Sequence, residues 1–409
     1  MRPFFLLWIG QALSLLGSQA VQFALIWWLT IETGSAAVLA TAAMIGLLPQ
    51  VLLGPLMGTL VDRWNRKRVM LISDSVVALA SLALAWAYAQ GYAGVPLVFT
   101  LLLVRALAGG FHGPAMLASM TLMVPKEHLV RIQGLNQAVQ GGLLIVSAPL
   151  GALLWSLLPM SGVMLVDVST ALIAIIPLIF IRVPQPDAKA KPAVDSALRS
   201  LWRDFSEGLR FVRTRRGHLT LLLMATTINA FLVPAFSLLP LLATTGGADA
   251  GELGWMTSSL GVGTLFGGLG LGVWGGFGRR IVTTLVGMIG LGLSTILLGL
   301  VPMTFLIGAM AAIFGAGVMA ALINGPIQAL LQATVPPGLQ GRVFTLFGSL
   351  AGLAAPLGLA AAAPVADLFG VRSWYLLGGS ICLAIGVAGF FIRALSTLDS
   401  ENYSESEAC

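Results

Sequence analysis

Long stretches without charge alternate with short polar knots along this chain, and their spacing predicts its elements. Apolar runs occur at roughly 4–30, 36–61, 69–90, 95–124, 134–158 and 161–183. After a polar gap they resume at roughly 218–245, 252–275, 281–300, 302–333, 342–366 and 371–395. A helix needs about 20 residues to cross the hydrocarbon core of a bilayer, and each run supplies them. The expected architecture is an all-α membrane protein of twelve transmembrane helices. Only Arg2 precedes the first run, which is too long for a signal-peptide core and lacks a convincing cleavage site, so it reads as a helix.

Composition supports that class. With 57% hydrophobic residues, 9% charged residues and a mean hydropathy of +0.95, the chain cannot cover a soluble surface. Its 49 glycines and 15 methionines suit close helix packing in lipid. Cys382 in the last apolar run and Cys409 at the terminal position imply no disulfide framework. The net charge of +6 matters through its distribution. With both termini placed in the cytosol, twenty of the 22 Lys and Arg residues fall on the inner side, and only Arg372 and the intrahelical Arg105 do not. The outer connections are short and carry mainly acids, among them Glu32, Asp249, Glu252 and Asp367. Function is therefore expected inside the helices.

The chain divides into an N-terminal six-helix half at 1–183, a cytosolic linker at 184–217, a C-terminal six-helix half at 218–395 and a cytosolic tail at 396–409. Within the linker, Leu198, Leu201, Trp202, Phe205, Leu209 and Phe211 or Val212 recur at helical spacing among arginines. That pattern predicts an amphipathic helix lying on the inner leaflet with its arginines toward anionic headgroups, not on nucleic acid. The halves repeat each other. Gly113-Pro114-Ala115, Val124-Pro125 and Arg131 are matched by Gly325-Pro326-Ile327, Val335-Pro336 and Arg342, and Ala148-Pro149-Leu150-Gly151 recurs as Ala355-Pro356-Leu357-Gly358. Two pseudo-symmetric halves about an axis along the membrane normal are expected.

Three sets of residues are candidates for function. The knot Gly58-Thr59-Leu60-Val61-Asp62-Arg63-Trp64-Asn65-Arg66-Lys67-Arg68 crowds one carboxylate among cations at the membrane border. Asp62 can pair there with neighbouring arginines or a helix N-terminus in one conformation only, which makes Gly58, Asp62, Arg63, Arg66 and Lys67 a conformational latch. Asp74 is expected to extend that network. The cations by themselves also serve to hold orientation. A charge inside hydrocarbon is costly and tends to be functional, so Arg105 requires a partner, for which Asp167 has comparable depth. Proton coupling through these two, with Glu32 as an entry group or else a plain surface carboxylate, competes with a static pair that fixes packing. His112 stands one heptad from Arg105, and hydrogen-bonded packing is its expected role. A third set comprises Gln11, Gln19, Gln22, Asn229, Asn324 and Gln328 with Phe23, Trp27, Phe231 and Phe236, polar points among aromatics suited to an amphipathic ligand.

With these residues in view, the chain resembles a major facilitator superfamily transporter. Gly58, Leu60, Asp62, Arg63, Arg66 and Lys67 match the signature between helices two and three, with Asn65 where a glycine is usual. Arg105, Gly109 and Gly113 match the fourth-helix signature, whereas the antiporter signature of helix five is met only by Pro149 and Gly151. Gly10-Gln11-Ala12-Leu13-Ser14-Leu15, Thr33-Gly34-Ser35-Ala36, Phe111-His112-Gly113-Pro114-Ala115 and Gly341-Arg342-Val343-Phe344 are similar to the macrolide-efflux group of drug/proton antiporters. The resemblance implies a bacterial inner-membrane exporter of hydrophobic compounds, driven by proton entry, with Arg105 in coupling and the third set lining a central cavity. Some relatives secrete siderophores, so export of a siderophore or other secreted metabolite is the alternative, followed by a non-transporting membrane protein. Expected partners are a hydrophobic small molecule, protons and membrane lipids, with no nucleic acid, and the chain is expected to act as a monomer. There is no Walker loop, HExxH motif or cysteine pair, so no catalytic set, metal or cofactor is expected.

Overall fold

The computed structural model describes residues 2–125, 128–185 and 194–398. Twelve of its helices are long and apolar enough to cross a membrane. In chain order these are α1 (Arg2–Thr33), α2 (Ala36–Arg63), α3 (Arg66–Ala89), α4 (Val95–Met123), α5 (Leu129–Leu157), α6 (Met160–Phe180), α8 (Arg216–Ser237), α10 (Ala250–Trp274), α11 (Arg280–Leu300), α12 (Leu306–Thr334), α13 (Pro337–Phe369) and α14 (Val371–Phe391). Between them lie α7 (Val194–Thr214) and α9 (Leu239–Thr244), and α15 (Arg393–Ser396) follows the last.

The run expected as one helix at 218–245 is two. Leu238, the C-cap of α8, donates its N–H to Pro234 O at 2.9 Å, and Pro240 opens α9, where its missing N–H costs nothing. Elsewhere the polar knots set the boundaries. Asn65 has φ −69° and caps α3 by accepting the Arg68 N–H at 3.1 Å. That conformation needs no glycine, and the side-chain oxygen satisfies an orphan donor of the first turn. The corresponding turn after α10 instead uses Gly275 and Gly276, with φ of +79° and +83°, values that L side chains rarely adopt.

The chain forms two compact units, Met1–Gly34 with Thr41–Leu198 and Asp249–Trp255, and Ser35–Ala40 with Arg199–Ala248 and Met256–Cys409. Each repeats one packing scheme. In the first, α3 packs on α4 and α6 while α1 packs on α5 and α6; in the second, α11 packs on α12 and α14 while α8 packs on α13 and α14. The repeated Ala-Pro-Leu-Gly segments explain part of the match. A Cβ on Gly151 of α5 would strike the Ala20 carbonyl oxygen of α1, and one on Gly358 of α13 would strike that of Ala230 on α8. Only glycine lets these backbones approach so closely.

The amphipathic segment forms α7, and the described part of its apolar face packs on protein, the Leu198, Leu201 and Trp202 side chains lying outside those the structure describes. Val212 is fully buried in the core of the second unit, with Phe205, Leu209 and Phe211 packed against the same cluster. Arg342 at the start of α13 reinforces this, binding Asp204 Oδ1 through Nε at 2.9 Å and Glu207 through Nη1. The helix expected on the inner leaflet thus has a protein contact along its C-terminal part, while Arg203, Arg210 and Arg213 stay exposed.

Candidate functional site

Three helices of the first unit carry polar residues seven positions apart, Gln11 and Ser18 on α1, Asp74 and Ser81 on α3, Arg105 and His112 on α4. Seven residues are close to two helical turns, so each pair stays on one face and is separated by about 10 Å along the axis. Packing brings the pairs into two layers. Gly10 and Gly17 of α1 make this possible, because a Cβ at Gly17 would collide with the Thr170 side chain of α6 and one at Gly10 would press on the Ile173 carbonyl.

One layer is built on Asp167 of α6, which is 0% exposed. Its Oδ1 accepts from Ser18 at 2.7 Å and its Oδ2 from Ser81 at 2.6 Å. The Arg105 guanidinium donates from Nη1 to both Asp167 Oδ2 and Ser81 Oγ. A buried carboxylate thus has a cation and two hydroxyl donors, the full pairing that such a site requires. The other layer, nearer the α2–α3 turn, joins Gln11, Asp74 and His112. Gln11 Nε2 donates to Asp74 Oδ2 at 2.9 Å, while His112 Nε2 lies 2.9 Å from Gln11 Oε1 and 3.2 Å from Asp74 Oδ1.

Both layers border a cavity of about 540 Å³ within the first unit. Gln11, Gln19 and Gln22 line it, together with Asp74, Arg105 and His112. The lining also includes Trp8, Gln50, Asn136 and Gln140, which sequence reasoning did not single out. The signals were present as the i, i+4 spacing of Asn136 and Gln140 on α5 and as the heptad spacing on α1, α3 and α4.

Other expected residues stand elsewhere. Asp74 does not extend the basic knot. Eight residues of helix carry it about 12 Å from Arg66, to the cavity wall. The knot instead ties α3 to the end of α6, with Lys67 Nζ donating to Ile179 O at 2.7 Å and the Arg66 N–H donating to Gln185 Oε1 at 3.1 Å. Trp64 stacks on Phe111 with ring centroids 5.9 Å apart. Arg63 ends α2, a Cβ on Gly58 would meet no described atom within 4 Å, and the Asp62 side chain lies outside those the structure describes. Glu32 is exposed, about 20 Å along α1 from Ser18, and so is not part of the ion-pair layer. Trp27 is buried outside the cavity wall, and Phe23 packs at Gly151. In the second unit Asn229 and Asn324 donate to carbonyls of their own helices, Ala225 and Ala320, each at 2.9 Å. Phe231 stacks on Trp374, Phe236 packs against the core, and Gln328 is exposed.

Twelve apolar helices in two repeated units, with a cavity bordered by buried charges in the first, make this a multi-pass membrane protein. The family model described as Major Facilitator Superfamily matches residues 7–358 and again 234–408, and the chain belongs to that family. It is 34% identical over 398 residues to Macrolide efflux protein A of Streptococcus pyogenes, covering 97% of each chain. It is 30% identical over 389 residues to Multidrug efflux pump Tap of Mycolicibacterium fortuitum, covering 91% of each. Among solved structures, it superposes on a nucleoside transporter with a TM-score of 0.72 at 12% identity, covering 94% of this chain and 98% of the other. A peptide transporter gives a TM-score of 0.73 at 13% identity, covering 98% and 96%. Those two likenesses concern the fold.

Proposed function

We propose that this transporter exports amphipathic, largely apolar small molecules of the macrolide type in exchange for protons, across a bacterial inner membrane and with both termini in the cytosol. The observation that carries this reading is the cavity wall of the first unit, where amides stand among apolar side chains beside two acid-containing clusters. Amides orient a ligand that binds mainly through apolar area. A membrane-embedded acid supplies a group whose charge can change during a cycle, and intramembrane ionisable residues commonly mark proton relays. Arg105 serves coupling by holding a fixed positive charge against Asp167 at the cavity edge. Relatives named for macrolide and multidrug efflux support the direction and the substrate class.

Everted membrane vesicles with an imposed pH gradient test it. Radiolabelled erythromycin should accumulate only with the gradient, and an uncoupler should abolish the accumulation. Arg105→Ala should insert and yet lose gradient-driven uptake. Uptake by the wild type that ignores the uncoupler would remove proton exchange from the mechanism.

A further inference from the structure

Resting on the proton-exchange reading above, we propose that the ring of Gln11, Asp74 and His112 is the site that binds the transported proton, and that it holds one. The two layers differ in charge. In the first, the Arg105 cation is committed to Asp167, so that layer is neutral without any added proton. In the ring no permanent cation among the described residues touches Asp74, whose partners are an amide and an imidazole.

The tautomer follows from the contacts. His112 Nε2 faces two oxygens, Gln11 Oε1 and Asp74 Oδ1, so it carries a hydrogen and leaves Nδ1 as the ring's basic nitrogen. With neutral His112 and ionised Asp74 the ring bears one negative charge. One hydronium proton, bound at an Asp74 oxygen, makes it neutral overall. One bond to hydrogen forms in the ring as one in hydronium breaks, and the return step reverses this.

Among the described residues, the surroundings add no competing countercharge at this level. α1 contributes Gln11, α2 contributes Gln50 and α5 contributes Asn136 and Gln140, all uncharged. On α4 and α6 the charged groups are Arg105 and Asp167, paired in the other layer. On α3, Arg66, Lys67 and Arg68 lie about 9–12 Å along the axis from Asp74, and Lys67 Nζ is bonded to the Ile179 carbonyl. An uncompensated charge in a membrane helix is costly, so the proton-loaded ring is the form suited to a closed cavity and the unloaded ring to one open to water.

Infrared difference spectroscopy of the full chain in liposomes, titrated with pH and without any transported compound, reads the site directly. The wild type should show a titrating protonated-carboxyl band. Asp74→Asn should lose it, Asp167→Asn should keep it, and His112→Gln should displace its midpoint. A band that survives Asp74→Asn and disappears in Asp167→Asn overturns the assignment. Erythromycin uptake into everted vesicles separates the two readings. If Asp74→Asn keeps gradient-dependent uptake, the ring is not the coupling site and exchange stands; if no gradient drives uptake in the wild type, exchange falls and the ring's role in transport falls with it, whatever its band does.

Discussion

Replacing Arg105 by methionine would leave Asp167 fully buried with two serine hydroxyls and no countercharge. Two scales bear on the cost. Removing one partner of a buried ion pair costs about 3–5 kcal/mol. A charged side chain at the centre of a membrane helix costs about 2.5–3.5 kcal/mol on insertion scales. About 3 kcal/mol satisfies both, on the order of a hundredfold in the folding equilibrium. Asp167→Asn should cost less, because the Arg105 cation it leaves borders the cavity and keeps Ser81 as an acceptor. The double substitution removes both charges, so its cost should fall well short of the sum, with a coupling of roughly 2 kcal/mol. Equilibrium unfolding in mixed micelles, followed by tryptophan fluorescence, measures all three. Simple additivity would refute the claim that the pair is closed and buried. A stable double variant without gradient-driven uptake would separate the fold's need for the pair from transport's need for its charge.

Further expectations rest on other contacts. Gly358→Ala should destabilise the second unit by about 1–3 kcal/mol, because the obstacle is the Ala230 backbone oxygen, which no side-chain trimming removes; an unchanged melting temperature would argue against the close crossing of α8 and α13. Arg342→Ala should cost only about 0.2–1 kcal/mol per pair, since its partners Asp204 and Glu207 are partly exposed, but should speed proteolysis in α7. Equal cleavage rates would show that the apolar face alone holds that helix. Asp62→Asn should lower maximal export with little change in half-saturation, and an unchanged maximal rate would end the latch reading.

How far the site could be read in advance differs from one cluster to the next. Arg105 and Asp167 were recognisable singly, since each is a charge within an apolar run, and equal depth suggested that they meet. Asp74 is close to the basic knot in sequence but not in space, because a helix rises about 1.5 Å per residue. Its partners Gln11 and His112 come from two other helices, and nothing in a local pattern ranks one amide above the next. The linker shows the same gap. Its apolar stripe announced an amphipathic helix, but an apolar stripe is satisfied equally by lipid or by protein.

Read alone, the amino-acid order determined the twelve spans, the two repeated halves and the rarity of charge within them, because bilayer thickness and the cost of burying charge act on each segment separately. Tertiary structure decided which polar faces meet. Glycines at positions 10 and 17 let α1 close on α6, and that approach sets the register that sorts seven-residue pairs on three helices into an ion-pair layer and an acid-imidazole ring. Register between helices depends on contacts distant in sequence, so only the packed structure contains it.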